Sequence, residues 1–204
     1  MNLDNLDQDV IRFFEPFFER SPTGFEFSYR HQSDQSKEVW TNNMCVKEVA
    51  SAIWKAYNHF PSSVTDLFIA SACLDILCFT HFFPHYVDNS LSIAFASIGY
   101  LPSKEYIREL IYEFPNAKIH LIAENSLIGK IFDCKIALLS RSIDSKFRIN
   151  GHQIEIEFGS QSLVLPIEKF SLNYFEVISG KRFAIRTHKP VRGFLNFYKL
   201  FAAL

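Results

Sequence analysis

Between residues 65 and 141 short apolar runs alternate with helical stripes, and this alternation limits the possible folds more than any other feature of the chain. Leu67-Phe68-Ile69-Ala70, Ser92-Ile93-Ala94-Phe95-Ala96-Ser97 and Lys118-Ile119-His120-Leu121-Ile122-Ala123 read as buried strands. A helix is predicted after each one. The first spans about 72–82 and the last about 127–141. The middle one is capped by Ser103 and places Tyr106, Ile107, Leu110, Ile111 and Phe114 on one face. Strands and helices in this order predict an α/β fold, with a mainly parallel sheet flanked by helices.

The flanking thirds read differently. Val10, Phe13, Phe14 and Phe17 predict a short helix over 5–20, disturbed by Pro16. Phe25, Phe27 and Tyr29 alternate with polar residues as in a strand, and the polar stretch 31–38 reads as a loop. Val46, Val49, Ala50, Ile53, Trp54, Tyr57 and Phe60 have helical spacing, closed by Pro61. Near the C-terminus, Asn150-Gly151 and Gly159-Ser160 are hairpin turns. Their registers set Phe147 opposite Ile154 and Ile149 opposite His152, then Ile156 opposite Leu163 and Ile154 opposite Leu165. The result is an antiparallel β-meander extension over about 146–167, followed by a helix near 170–179 and a strand near 182–188. Phe194, Phe197, Tyr198 and Phe201 suit a closing helix. One domain is expected over 1–204, built from an N-terminal segment 1–64, a core 65–141 and a C-terminal extension 142–204.

Charge bears on partners. The net charge is −1, so no global attraction to nucleic acid or anionic membrane follows. Residues 181–204 nevertheless hold Lys181, Arg182, Arg186, Lys189, Arg192 and Lys199 and no acid. Such a tail can neutralise phosphates, or it can be a solvated edge. The acidic start Met1–Asp9 lacks the apolar run of a signal peptide, and no run approaches a membrane span. With no export signal, a cytoplasmic protein with reduced, buried cysteines is expected, and Cys45, Cys73, Cys78 and Cys134 show no CxxC pair. Cys78, His81 and His85 offer three metal ligands at most, split by Pro84, whereas structural zinc needs four. No Walker A loop, Gly-x-Gly-x-x-Gly or Gly-x-Ser-x-Gly is present.

In open parallel sheets ligands bind at the carboxyl ends of strands. Two ends stand out: Ser71-Ala72-Cys73-Leu74-Asp75 and Glu124-Asn125-Ser126-Leu127-Ile128-Gly129. Together with Phe114-Pro115-Asn116-Ala117-Lys118-Ile119, they make residues 65–141 resemble a Toprim domain. That family occurs in DNA primases, topoisomerases, small nucleases and primase-like proteins of mobile genetic elements. The resemblance implies a Glu after the first strand, an Asp four residues on, and Asp-x-Asp followed by Gly after the third. Asp75 and Gly129 match that pattern, while Ser71, Glu124 and Ser126 stand where the family has Glu, Asp and Asp. Mg²⁺ prefers clustered carboxylates, and a neutral serine is a poor substitute. Asp75 and Glu124 remain as metal candidates, with no catalytic residue assigned.

The resemblance therefore implies a degenerate site and a non-catalytic accessory protein of DNA processing, with DNA or a DNA-processing protein as partner and no required cofactor. Two alternatives compete with it. One is a divalent-metal-dependent nuclease or nucleotidyl transferase that uses Mg²⁺ at Asp75, Glu124 and an acid from another segment. The other is an interaction scaffold that exposes part of Phe13, Phe14, Phe17 and Phe18. Each site residue also has a structural explanation: a cap for Ser71, a dipole partner for Asp75, a solvated acid for Glu124, close packing for Gly129. Whether an acid from the first 40 residues reaches the pocket is open at this level.

Overall fold

A computed structural model of the chain describes residues 5–22, 24–31, 34–41, 45–47 and 52–204. The alternation over 65–141 is realised as β6 (Asp66–Ala70), α2 (Cys73–Phe82), β7 (Ile93–Ser97), α3 (Lys104–Glu113), β8 (Lys118–Ile122) and α4 (Leu127–Ser140). Ser103 and Ser126 cap α3 and α4 by accepting from the Tyr106 and Gly129 amides. Two further strands join this sheet, β5 (Trp54–Tyr57) and β12 (Arg186–His188), in the order β12-β8-β6-β7-β5. The inner strands and β12 run parallel, and β5 pairs antiparallel with β7. Among the described residues no helix is long and apolar enough to cross a membrane.

Strand alternation divides the core. Phe68, Ala70, Phe95 and Ile122 face α2 together with α1 (Gln8–Phe14) and α6 (Phe197–Phe201). Leu67, Ile69, Ala96 and Leu121 face α3 and α4 on the other side. A third apolar cluster lies where α4 and α5 (Leu172–Ser179) meet a three-stranded antiparallel sheet. That sheet is the expected meander, β9 (Ser145–Asn150), β10 (Gln153–Phe158) and β11 (Gln161–Pro166). β12 is held to β8 partly by a polar chain. Asp66 bonds His120 at 2.9 Å, and the other ring nitrogen of His120 meets His188 at 3.0 Å.

Several sequence expectations need correction. The helix over 5–20 is shorter. After α1 a 3-10 turn holds Pro16, and β1 (Glu19–Ser21) pairs with β2 (Gly24–His31). The expected loop 31–38 is mostly strand β3 (Asp34–Thr41), paired along β2, while residues 32 and 33 lie outside the described residues. The expected helix over 46–60 is not formed in the described residues, which hold β4 (Cys45–Lys47) and β5 with irregular backbone after it at 58–60, and its residues 48–51 lie outside the described residues. In β5, Trp54 and Ala56 pack toward one core and the flanking Ile53 and Tyr57 toward the other. A strand buried on both faces shows no period-two signal, and its apolar spacing mimics a helix.

The first C-terminal hairpin is shifted by two residues. Ile149 faces Ile154 and Phe147 faces Ile156, because the turn centres on Gly151 and His152. Only Gly151 in that turn carries a positive φ, of 56°, which suits glycine at the first central position. An even shift keeps the same face inward, so the core pattern survives. The second hairpin has the expected register. The last strand and helix begin later than expected, at Arg186 and Phe197. Phe13, Phe14 and Phe18 are buried and Phe17 is half-buried, so this aromatic run packs inward.

Candidate functional site

β7 and β8 lie on opposite sides of β6, and the helices after β6 and β8 cover opposite faces. In such sheets the position of a ligand crevice is at the carboxyl ends of the strands where the winding changes direction, here β6 and β8. Ala70 pairs with Ile122 in register, so the segments 71–75 and 124–129 leave the sheet side by side. The expected site residues are therefore brought together. Ser71 and Asp75 are buried, Glu124 and Ser126 half-buried. Tyr100 joins them from the end of β7, after Gly99 at a φ of 75°. Its hydroxyl bonds Ser71, and burial, with the negative charges of Asp75 and Glu124 beside it, pushes it above its ordinary value. The sequence reading missed Tyr100. The signal was available, since a third strand of the same sheet ends there.

Each acid is engaged by the chain itself. Asp75 Oδ1 accepts the Tyr198 backbone N–H at 3.2 Å and so anchors the first turn of α6. The Glu124 carboxylate accepts the Ser126 hydroxyl, and Ser126 Oγ in turn accepts the Gly129 amide at 3.1 Å. The segment leading into α6 lies over the same loop. Asn125 donates its N–H to the Leu195 carbonyl at 2.6 Å. Lys189 Nζ donates to the Glu124 carbonyl at 3.2 Å and pairs with the buried Asp133 of α4 at 2.6 Å. Burial outweighs the adjacent ammonium, and the Asp133 carboxyl is pushed up to about 6.

An acid from the first 40 residues does reach this end of the sheet. Glu38 of β3 is fully buried, and its two oxygens accept the Cys73 and Leu74 amides at 2.9 and 3.0 Å. Tyr29 donates to it at 2.5 Å and also meets Ser97 at 2.7 Å. A carboxyl group in this position caps the N-terminus of α2, where amides lack intrahelical partners.

The donor set suits a hard divalent cation poorly. Ser71 and Ser126 are neutral, while Asp75, Glu124 and Glu38 already accept from protein donors. Among the described residues no three His, Cys, Asp or Glu side chains are grouped to hold a metal. Cys78 is buried, and His81 Nδ1 accepts the Asp7 amide at 3.1 Å. The basic tail divides. Arg182, Arg186 and Arg192 face solvent, Arg182 lying 3.6 Å from Glu176, whereas Lys189 turns inward and Lys181 lies 5.7 Å from the centre of the Phe158 ring.

Gly129 is required by close approach. A Cβ there would lie 2.1 Å from the Glu124 carbonyl oxygen and 2.8 Å from its carbon. Gly129→Ala is expected to push α4 off the end of β8 and cost about 1–3 kcal/mol, despite the better helix propensity of alanine. Urea denaturation checks this, and an unchanged midpoint would remove the packing explanation.

No protein-family model matches the chain, and no curated protein matches it. Among solved structures, a similar chain comes from bacteriophage T7 lagging-strand DNA polymerase interacting with primase domains bound to an RNA/DNA hybrid and dTTP. It is 10% identical, with a TM-score of 0.41, over 66% of this chain and 70% of that one.

Proposed function

We propose that this chain is a non-catalytic, Toprim-like binding module that serves DNA processing. Its core would be the segment 65–141, and its degenerate site the crevice of Ser71, Asp75, Glu124, Ser126 and Gly129. One observation carries the reading: each carboxylate at the strand ends already accepts from the chain itself, Asp75 from an amide and Glu124 from a hydroxyl. Groups committed in this way stabilise the fold and are poorly placed to stabilise charge on a transferring phosphoryl group. The association with DNA rests on the sequence resemblance and on the exposed Arg182, Arg186 and Arg192.

The expected result is DNA binding near 50 mM salt that falls steeply by about 200 mM, as phosphate contacts require. Neutralising Arg182, Arg186 and Arg192 together should abolish most of it while leaving the melting temperature in place. Absent or salt-insensitive binding would refute the DNA reading. Cleavage of DNA that depends on Mn²⁺ and on Glu124 would replace it with the enzyme reading.

A further inference from the structure

The outer edge of the three-stranded sheet has the features of a peptide-binding edge. In the three-stranded sheet the order is β11-β10-β9, so β9 is an outer strand, and no described strand pairs with its far side. The direction of its backbone groups follows from the pairing. Gly159 donates to the Asp144 carbonyl at 3.3 Å, and the two-residue turn closes on Asn150 and Gln153. Alternation then directs the N–H and C=O groups of Lys146 and Arg148 toward β10 and those of Phe147 and Ile149 outward.

A groove of about 540 Å³ runs between β9 and α4, with Ile131, Lys135, Lys146, Phe147, Arg148 and Ile149 among its lining residues. Three of these are cations, and among the described residues no carboxylate lines the groove. Ile149 is 58% exposed although its neighbour across the ladder, Ile154, is fully buried. Ser145 also lines the groove, and its Oγ is buried without a hydrogen-bond partner among the described residues.

The existing partner of β9 indicates what would fit its other side. On β10, Glu155 and Glu157 lie opposite Arg148 and Lys146, while Ile154 and Ile156 lie opposite Ile149 and Phe147. Arg148 is already paired with Glu157 at 2.5 Å. We propose that the free edge of β9 binds an extended peptide segment of a partner protein in which acidic and aliphatic residues alternate. Its backbone would extend the ladder, its acids would meet Lys146 on the outer face, and its aliphatic residues would cover Ile149 and Phe147 on the face toward α4. A second copy of this chain is a poor occupant, because antiparallel pairing of two β9 strands sets cations against cations. The cations that keep two copies apart thus select for an acidic strand. This inference is independent of the DNA-processing reading.

The test uses the whole chain and a fluorescent peptide with the sequence of residues 153–158 as probe, followed by anisotropy. Saturable binding is expected, weakening between about 50 and 200 mM salt. Lys146→Glu should weaken it about tenfold by placing an acid opposite an acid. Ile149→Pro should weaken it similarly by removing an outward N–H, a change that edge strands tolerate. In the unaltered chain, amide exchange at residues 145–149 should slow when the peptide is added, which tests the idea without any variant. The proposal is overturned by lack of binding, by equal binding of a peptide of the same composition without alternation, or by indifference to Ile149→Pro. It is also overturned if oligo(dT) displaces the peptide, or if light scattering shows a dimer that Ile149→Pro dissociates.

Discussion

Glu38→Ala is expected to lower stability by about 3–5 kcal/mol, because three buried donors lose their acceptor at once. These donors are the Cys73 and Leu74 amides and the Tyr29 hydroxyl. The hydroxyl keeps a contact to Ser97, but the two amides at the start of α2 have no intrahelical acceptor. For a chain of this size the loss corresponds to a fall in melting temperature of roughly 10 °C. Glu38→Gln should fall between the two, since its carbonyl can accept but its NH₂ faces other donors. Thermal and urea unfolding followed by circular dichroism decide the matter. If Glu38→Ala melted like the parent chain, β3 could not be fastening the N-terminal sheet to the end of β6.

The second large effect concerns the buried pair beneath the C-terminal segment. Lys189→Met leaves the Asp133 carboxylate without its cation, and one of its oxygens has no hydrogen-bond partner among the described residues to begin with. Removing one partner of a buried pair costs about 3–5 kcal/mol near neutral pH. The pH dependence follows from Asp133, whose carboxyl is raised to about 6 in the folded chain from an ordinary value of 3.8. The folded state therefore holds its proton more tightly than the unfolded state does. Its contribution is unfavourable above about pH 6 and is relieved as pH falls toward 4, by about 3 kcal/mol across that window. Lys189→Met should move the window upward, so the variant should recover stability on mild acidification. Lys189→Met combined with Asp133→Leu should be more stable than Lys189→Met alone, since no buried charge remains. Urea midpoints near pH 5 and pH 7.5 test the whole set. A Lys189→Met penalty that does not change between them would contradict the assigned roles.

The part of the fold that could be read from the sequence was the part whose local signals agree with the tertiary environment. The strands of 66–122 are continuous apolar runs because both their faces are covered, and α3 begins at Ser103 as expected, whereas α2 follows Ala72 with no side-chain cap, so Ser71 is not its cap. The hairpin pair was readable from its turns and its alternation, although only the positive φ of Gly151 fixes the register. β3 was not readable. The face that it turns inward carries Ser36 and Glu38 before Trp40, and Glu38 becomes acceptable there only because α2 supplies amides. The same tertiary dependence hid the roles of the site residues. Spacing placed Asp75 and Glu124 near one another, yet nothing local to either shows that Tyr198, more than a hundred residues away, fills the first acid. The basic tail divides for a similar reason: Lys189 looks like its neighbours in the sequence, but its ammonium pairs with the buried Asp133.

The strand-end crevice thus supplies its own counter-groups: an amide for Asp75, a hydroxyl for Glu124 and an ammonium for Asp133. The most direct measurement is the melting temperature of the unaltered chain and of Glu124→Ala with and without millimolar Mn²⁺. Both are expected to melt at the same temperature whether or not the ion is present. A rise of several degrees with Mn²⁺ that disappears in Glu124→Ala would mean that the crevice grips a cation, and the account would fail.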